Sequence, residues 1–237
     1  MIRALTGRLA GRDMGEVASL VAKNFAHVVR SLSPGAWIAR HRSRAFDRRW
    51  GTDTTTLANL SALRVDRERA RHGVRYQPSS GEALDWAVEA AGIEPARFAF
   101  VDYGSGKGRI AMLAATKSFA RVVGVEFSPE LCAVAEANVA RFAAAGGAVR
   151  PAEIVLGDAG AFAPPEGPLF AYFYNPFGPV VLQEVIARLE VKAAGGDEVL
   201  VGYVDPRHAD LFEASGRWAT VARNEGALLL RAAANPS

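Results

Sequence analysis

A glycine-rich segment near the middle of the chain is the part best suited to chemistry. Glycine occupies every second position in Gly104–Gly108, and Asp102 stands two residues before it. Glycines allow backbone angles that other residues avoid, and they let a ligand approach the main chain closely. An apolar run precedes the segment and a predicted helix follows, whose first N–H groups suit a carboxylate or a phosphate. The spacing therefore predicts a ligand-binding turn at the carboxyl end of a strand.

Three classes of ligand compete for such a turn. A phosphate-binding P-loop requires Gly-x-x-x-x-Gly-Lys-[Ser/Thr], but Lys107 is followed by Gly108 and position 101 is not glycine, which excludes that class. A dinucleotide site requires Gly-x-Gly-x-x-Gly, and here Arg109 stands at the third glycine position, which weakens that class but leaves it open. The third class is S-adenosylmethionine.

The third class matches a known family. Asp102-x-Gly104-x-Gly106-x-Gly108 resembles the first motif of class I S-adenosylmethionine-dependent methyltransferases. A carboxylate at the end of the second strand, Glu126, can accept hydrogen bonds from both hydroxyls of a ribose. The resemblance covers about Tyr76 to Ala232, implies S-adenosylmethionine as the cofactor, and implies that Asp158, after the third strand, receives the adenine amino group. Its cofactor-binding residues are Asp102, Tyr103, Gly104, Ser105, Gly106, Gly108, Glu126, Phe127, Asp158 and Ala159.

A second segment, after the fourth predicted strand, is suited to binding the methyl acceptor. The side-chain carbonyl of Asn175 and the backbone carbonyl of Pro176 can bind an amino group and aim its lone pair. The rings of Tyr174 and Phe177 can wall the site and favour a cationic methylated nitrogen. Methyl transfer from a sulfonium is an in-line displacement that depends on alignment and desolvation, so it requires neither a metal nor a covalent nucleophile. We predict these four residues to be catalytic.

This segment resembles two groups of amino-directed methyltransferases. It is similar to the (Asn/Asp)-Pro-Pro-aromatic motif, except that one proline precedes the aromatic residue, and to the Asn-Phe segment of the non-SET histone-lysine methyltransferases. The segment Tyr76-x-Pro78-Ser79-Ser80 resembles the cofactor loop before the sheet in related protein-lysine enzymes, which adds Tyr76 and Ser79 to the predicted cofactor site. Asn-Pro after a strand is also an ordinary turn. We therefore hypothesise that the chain methylates an amine nitrogen, with protein lysine as a candidate acceptor.

Alternating strands and helices position these residues. Strand-like apolar runs separated by helical stretches indicate βαβ units, a mostly parallel sheet and helices on both faces. We predict a doubly wound, seven-stranded α/β domain over 76–237, preceded by a basic helical extension over 1–75. Predicted strands are 97–103, 122–125, 154–156, 169–174, 199–204, 218–223 and 227–232, the last two forming a hairpin; predicted helices are 14–32, 81–91, 110–118, 129–145, 180–191 and a short one ending at 215.

Charge divides the chain into two parts. Residues 1–75 contain 15 Lys and Arg against 6 Asp and Glu, whereas residues 76–237 contain 13 against 19, and the whole chain has a net charge of +3. A basic segment can meet nucleic acid, an anionic membrane face or an acidic protein, or it can dock on its own acidic body. Nucleic acid therefore stays open as a partner of the extension.

Composition limits the remaining possibilities. The single cysteine, Cys132, excludes a disulfide framework and is typical of a reducing compartment, so we predict a cytoplasmic protein. No apolar run approaches the ~20 residues of a membrane span, and charged residues interrupt the first twenty positions before a secretory signal forms. The four histidines do not pair at helical spacing, so no metal is predicted. Two other functions stay open: an NAD- or nucleotide-linked oxidoreductase, and a non-catalytic adaptor that binds S-adenosylmethionine or a partner.

Overall fold

The computed structural model describes residues 34–56 and 81–233. The predicted helix over 14–32 and the predicted cofactor residues Tyr76 and Ser79 lie outside these ranges. The helices are α1 Pro34–Trp50, α2 Gly81–Ala91, α3 Arg109–Ala114, α4 Pro129–Ala144, α5 Pro179–Ala194 and α6 Asp210–Ser215. The strands are β1 Ala99–Tyr103, β2 Arg121–Glu126, β3 Glu153–Leu156, β4 Leu169–Tyr174, β5 Val199–Val204, β6 Trp218–Arg223 and β7 Ala227–Ala232.

The seven strands form one sheet in the order β3-β2-β1-β4-β5-β7-β6. The pairs from β3 to β5 are parallel, while β7 is antiparallel to both β5 and β6. The chain runs outward from β1 in one direction through β2 and β3, and in the other through β4 and β5. The predicted doubly wound, mostly parallel sheet with a closing hairpin is confirmed.

Alternation along the strands produces a core on each face of the sheet. Phe100 and Tyr172 point into a first core, which contains apolar residues of α2, α3 and α4. Val101 and Phe173, the next residues along the same strands, point into a second core against α5 and α6. Both faces of the central strands are therefore covered by helices, as expected for a parallel sheet.

Several element boundaries differ from the sequence predictions, and two of them have a clear local reason. The strand β1 begins at Ala99 rather than at position 97, because Pro95–Arg97 forms a 3₁₀ turn in which the Phe98 N–H donates to the Pro95 carbonyl. The helix α3 ends at Ala114 rather than at position 118. There the Thr116 hydroxyl donates to the Leu113 carbonyl at 2.7 Å, which competes with continuation of the helix.

Backbone contacts divide the chain into two units, residues 1–45 and residues 46–237. The second unit contains the sheet, and also the end of α1 with the loop after it. The proposed domain limits at 75 and 76 stay a prediction. Within the described ranges, no helix is long and apolar enough to cross a membrane.

Candidate functional site

The predicted site residues that fall within the described ranges lie at the carboxyl edge of the sheet, where β1 separates β2 from β4. The glycine turn follows β1, Glu126 ends β2, and the segment after β4 begins at Asn175. The direction of the strand order reverses between β1 and β4, and such a switch point leaves a crevice at the carboxyl ends of the strands. The topology therefore brings the cofactor motif and the acceptor motif to one edge.

The glycine turn needs glycine for its backbone conformation. Gly104, Gly106 and Gly108 have φ values of +76°, +55° and +80°, in the left-handed region that other residues rarely adopt. The N–H groups of Gly104 and Ser105 both donate to the Val125 carbonyl, at 2.9 and 3.0 Å. The turn is thereby held against the end of β2.

Gly104 also has no room for a side chain. A Cβ at this position would lie 2.4 Å from Cβ of Pro176 and 3.5 Å from Cε1 of Phe177. The segment after β4 therefore packs directly on the glycine turn. This contact joins the predicted cofactor and acceptor motifs into one site.

Glu126, predicted to hold a ribose, is buried and bound to its own main chain. One carboxylate oxygen accepts from the Gly106 N–H at 2.8 Å, and the other accepts from the Ser128 N–H at 2.9 Å. Burial raises the pKa of Glu126, while the backbone hydrogen bonds lower it. Each oxygen has a second lone pair, so the carboxylate can accept from a ligand while it fixes the turn and the start of α4.

Asp102 and Tyr172 are neighbours on β1 and β4 that face the first core. Burial, reinforced by the charge of Glu126, raises the pKa of Asp102 to about 8. Burial, reinforced by the charge of Asp102, also raises the pKa of the Tyr172 hydroxyl. That hydroxyl and the buried hydroxyl of Ser105 have no hydrogen-bond partner among the described residues. The turn is thus bordered by unused polar groups and by a carboxyl that stays protonated at neutral pH.

Asn175 is the most distinctive residue of the segment after β4. It is 4% exposed, and its φ of +41° is uncommon for a residue other than glycine. Its side-chain oxygen is buried and has no hydrogen-bond partner within the described part of the chain. Leaving a buried acceptor unpaired costs roughly 1–3 kcal/mol, so this oxygen is a natural binding point for an N–H group.

The aromatic residues predicted around the site do not come together on one side. Tyr174 is half-buried against the first core, whereas Phe177 packs in the second core, its ring 6.4 Å from that of Phe173. Tyr103 also lies in the second core, where its ring centroid is 5.2 Å from that of Phe173. The ring of Phe177 also approaches the glycine turn, with Cε1 3.5 Å from a Cβ placed on Gly104.

Three of the predicted cofactor residues, Phe127, Asp158 and Ala159, follow β2 and β3, which are adjacent strands. Phe127 is 37% exposed, unusual for a large apolar side chain, and comes directly after Glu126. Asp158 is half-buried, and one of its carboxylate oxygens accepts from the Gly160 N–H at 3.0 Å. Ala159 is buried against the second core. An exposed aromatic ring and a carboxylate therefore lie just beyond the carboxyl ends of β2 and β3.

Sequence reasoning missed that two cations of the glycine turn have structural partners. Lys107 is 4% exposed, and its ammonium group donates to Asp53 at 2.9 Å and to the Thr56 carbonyl at 2.8 Å. The guanidinium of Arg109 donates to the Thr54 hydroxyl at 3.1 Å and lies over the ring of Phe46. The available signal was Asp53, a carboxylate in the threonine-rich loop 52–56, but its position in the sequence did not indicate a contact with the glycine turn. With its charge paired, Lys107 is not placed as a phosphate-binding lysine.

No group of three or more His, Cys, Asp or Glu side chains in the described ranges is arranged to hold a metal ion.

Comparison with known proteins gives matches to solved structures. Neither the protein-family models nor the curated proteins matched the chain. An RNA methyltransferase candidate from Pyrococcus horikoshii matches with a TM-score of 0.50 and 16% identity, over 73% of this chain and 95% of its own. An RNA methyltransferase from Salinibacter ruber in complex with S-adenosylhomocysteine matches with a TM-score of 0.48 and 25% identity, over 68% of this chain and 96% of its own. A ribosomal protein L11 methylase from Lactobacillus delbrueckii subsp. bulgaricus matches with a TM-score of 0.48 and 15% identity, over 68% of this chain and 81% of its own.

The likeness to the Pyrococcus protein is one of fold, and it agrees with the strand order of the sheet. The resemblance to protein-lysine enzymes and the roles of individual site residues stay predictions. The chain has the seven-stranded fold of the class I S-adenosylmethionine-dependent methyltransferases, as its glycine motif indicated.

Proposed function

We propose that the chain is an S-adenosylmethionine-dependent methyltransferase that methylates an amine nitrogen. The observation that carries the proposal is the side chain of Asn175. Its oxygen is a buried acceptor without a partner in the described structure, on a segment that packs against the glycine turn. An amine N–H group is a donor that such an oxygen can bind.

The residues around the turn fit S-adenosylmethionine. The hydroxyls of Ser105 and Tyr172 are buried polar groups that have no partner in the described ranges, and Phe127 offers an exposed aromatic face. Glu126 would hold the ribose and Asp158 the adenine amino group. When bound, the cofactor supplies a methyl group on a positively charged sulfur.

The chain's own contribution is alignment. Asn175 would accept a hydrogen bond from the neutral amine and so direct the nitrogen lone pair toward the glycine turn. The contact between Pro176 and Gly104 fixes the distance between the two motifs. Such positioning supplies a large share of the rate enhancement when charge is dispersed and no proton transfer is needed at the moment of attack.

The parent molecule of the amine is proposed to be a protein, with lysine as the candidate side chain. The extension carries most of the excess positive charge, and Arg48 and Arg49 at the end of α1 are exposed. These cations also suit nucleic acid, so the experiment must distinguish the two.

Ligand binding tests the cofactor class. S-adenosylhomocysteine is expected to bind in isothermal titration, while NAD is expected to give no heat under the same conditions. Binding of NAD in preference to S-adenosylhomocysteine would instead support the oxidoreductase.

Labelling of a cell extract tests the acceptor. The extract of a deletion strain is incubated with the enzyme and methyl-labelled cofactor, then separated into protein, nucleic acid and small molecules. We expect label on protein, as one to three methyl groups on lysine, and we expect Asn175→Ala to bind S-adenosylhomocysteine but lose labelling. Gln183→Ala, which removes an exposed amide side chain from α5, is the control and should label normally. Label only on nucleic acid, oxygen, carbon or a metabolite would contradict the protein-amine proposal, and full labelling by Asn175→Ala would contradict the role of Asn175.

A further inference from the structure

The last turn of α1 and the threonine-rich loop after it, residues 46–56, form a compact strap. Its centre is the carboxylate of Asp47. This group accepts hydrogen bonds from the hydroxyls of Thr52 and Thr54, both at 2.8 Å, and from the main-chain N–H groups of Thr54 and Thr55 at 3.0–3.1 Å. The strap therefore has a defined shape of its own.

The first contact of the strap with the glycine turn is at Lys107. The Lys107 ammonium donates to the Asp53 carboxylate and to the Thr56 carbonyl, at 2.9 and 2.8 Å. The Asn138 amide of α4 donates to the main-chain carbonyls of both Asp53 and Lys107, each at 3.0 Å, and its oxygen accepts from the Asp53 N–H at 2.8 Å. Asn138 is fully buried. Strap, turn and α4 thus share one hydrogen-bond network.

A second contact lies two residues further along the chain. The guanidinium carbon of Arg109 is 4.6 Å from the ring centroid of Phe46, and Phe46 stacks on Phe142 of α4 at 5.8 Å between centroids. Both cations of the turn are therefore engaged by the strap, one on each side of Gly108.

We propose that the strap is a positioning element of the cofactor site, and that Lys107 and Asp53 are its positioning residues. The strap holds the side chain of Lys107, while Asn138 of α4, which is bonded to the strap at Asp53, holds the Lys107 carbonyl. Through these bonds the strap keeps Gly106 and Gly108 in their left-handed conformations. This inference rests on the proposed function, since it assigns the strap to the binding of S-adenosylmethionine.

The physical reason is the freedom of glycine. Three glycines in five residues lose more conformational entropy on ordering than any other residues would. If the turn is not already ordered, the ligand must order it, and the apparent affinity falls by the fraction of competent molecules. We expect roughly tenfold weaker binding when the tie is cut, which corresponds to a turn ordered about one tenth of the time.

The two sides of the ion pair are not equivalent. The Lys107 side chain is 5% exposed and that of Asp53 is 44% exposed. Asp53→Asn leaves a buried cation without its counterion, whereas Lys107→Met leaves a carboxylate that water can reach. Asp53→Asn should therefore lower the free energy of unfolding more than Lys107→Met does.

The test compares Lys107→Met, Asp53→Asn and the double variant in the full chain. We expect the dissociation constant of S-adenosylhomocysteine to rise about tenfold in each single variant. The double variant should bind S-adenosylhomocysteine no more weakly than Asp53→Asn does, because both changes remove the same ion pair. In all three variants, kcat at saturating cofactor should stay within twofold of the wild-type value. Lys107→Arg, which keeps the cation, should restore most of the affinity.

A matched control lies at the opposite edge of the sheet. Lys192, with 8% of its side chain exposed, is paired with Asp197 at 2.6 Å, close to the amino end of β5. Lys192→Met should lower the unfolding temperature without changing the affinity for S-adenosylhomocysteine. If Lys107→Met does not fold, hydrogen exchange of the backbone amides at 103–110 is measured instead, in ligand-free Asp53→Asn. We expect faster exchange there than in the wild type.

The outcomes separate the two proposals. Unchanged affinity in the strap variants with unchanged exchange in the turn would overturn the strap's role, as would an equal loss of affinity in Lys192→Met. A wild-type chain that binds no S-adenosylhomocysteine, yet shows faster exchange in Asp53→Asn, would remove the proposed cofactor and leave the strap as an ordering element of the turn.

Discussion

Gly104→Ala tests the contact that joins the two motifs of the site. The backbone of Gly104 has a φ of +76°, and a Cβ there would lie 2.4 Å from Cβ of Pro176. Non-bonded carbon atoms prefer separations of about 3.5–4.0 Å, so the segment after β4 must move by roughly 1 Å or more to admit the methyl group. We therefore expect a loss of stability together with a displaced Asn175.

The magnitude has two parts. Placing alanine in the left-handed region costs roughly 1–2 kcal/mol, and inserting a methyl group into a packed contact typically costs about 1–3 kcal/mol. The expected decrease in the free energy of unfolding is therefore about 2–5 kcal/mol. Gly146→Ala isolates the first part, because Gly146 has a φ of +75° and no atom within 4 Å of the added Cβ.

Urea unfolding of the two variants at one pH is the assay, with titration of S-adenosylhomocysteine as the second measurement. Gly104→Ala should be less stable than Gly146→Ala by about 1–3 kcal/mol, and it alone should lose ligand affinity. Adding Pro176→Gly to each variant should recover the difference only in the Gly104 background.

Equal destabilisation by Gly104→Ala and Gly146→Ala would show that Pro176 does not pack on the glycine turn. The reasoning that unites the cofactor and acceptor motifs would then be refuted, even if each motif binds its own ligand.

Two further predictions concern stability. The folded chain holds the Asp102 proton up to about pH 8, whereas the unfolded carboxyl releases it near 3.8. Wild-type stability therefore falls as pH rises between these values. Asp102→Asn does not titrate, so its stability relative to the wild type should rise by on the order of 5 kcal/mol across this interval. Urea unfolding at several pH values measures this gain, and a difference that does not vary with pH would contradict the burial of a protonated Asp102. Trp50→Ala removes a half-buried indole whose centroid is 4.8 Å from that of Phe142; it should lower the unfolding temperature by roughly 5–10 °C. Calorimetry measures this, and a shift below about 1 °C would mean that the end of α1 does not pack on α4.

The sequence by itself determined the order of the elements from position 81 onward and the glycine turn, whereas α1 was not among the predicted helices. The limits of α2, β4, β5, β6 and β7 agree with those predicted. Glycine directly follows α2, and asparagine or aspartate directly follows β4, β5 and β6, so these boundaries have local signals. The turn could be predicted because its backbone requires positive φ angles at alternate positions, and glycine adopts these without strain. Gly104, Gly106 and Gly108 all have positive φ.

Only the tertiary structure decided how the turn is held and what packs on it. Asp53 and Lys107 are 54 residues apart, and Asn138 bonds to Asp53 across 85 residues. Hydrophobic periodicity and turn chemistry describe neighbours in the chain, so they carry no information about such pairs. The close approach of Pro176 to Gly104 likewise follows from the parallel pairing of β1 with β4, which places two segments some seventy residues apart at the same edge.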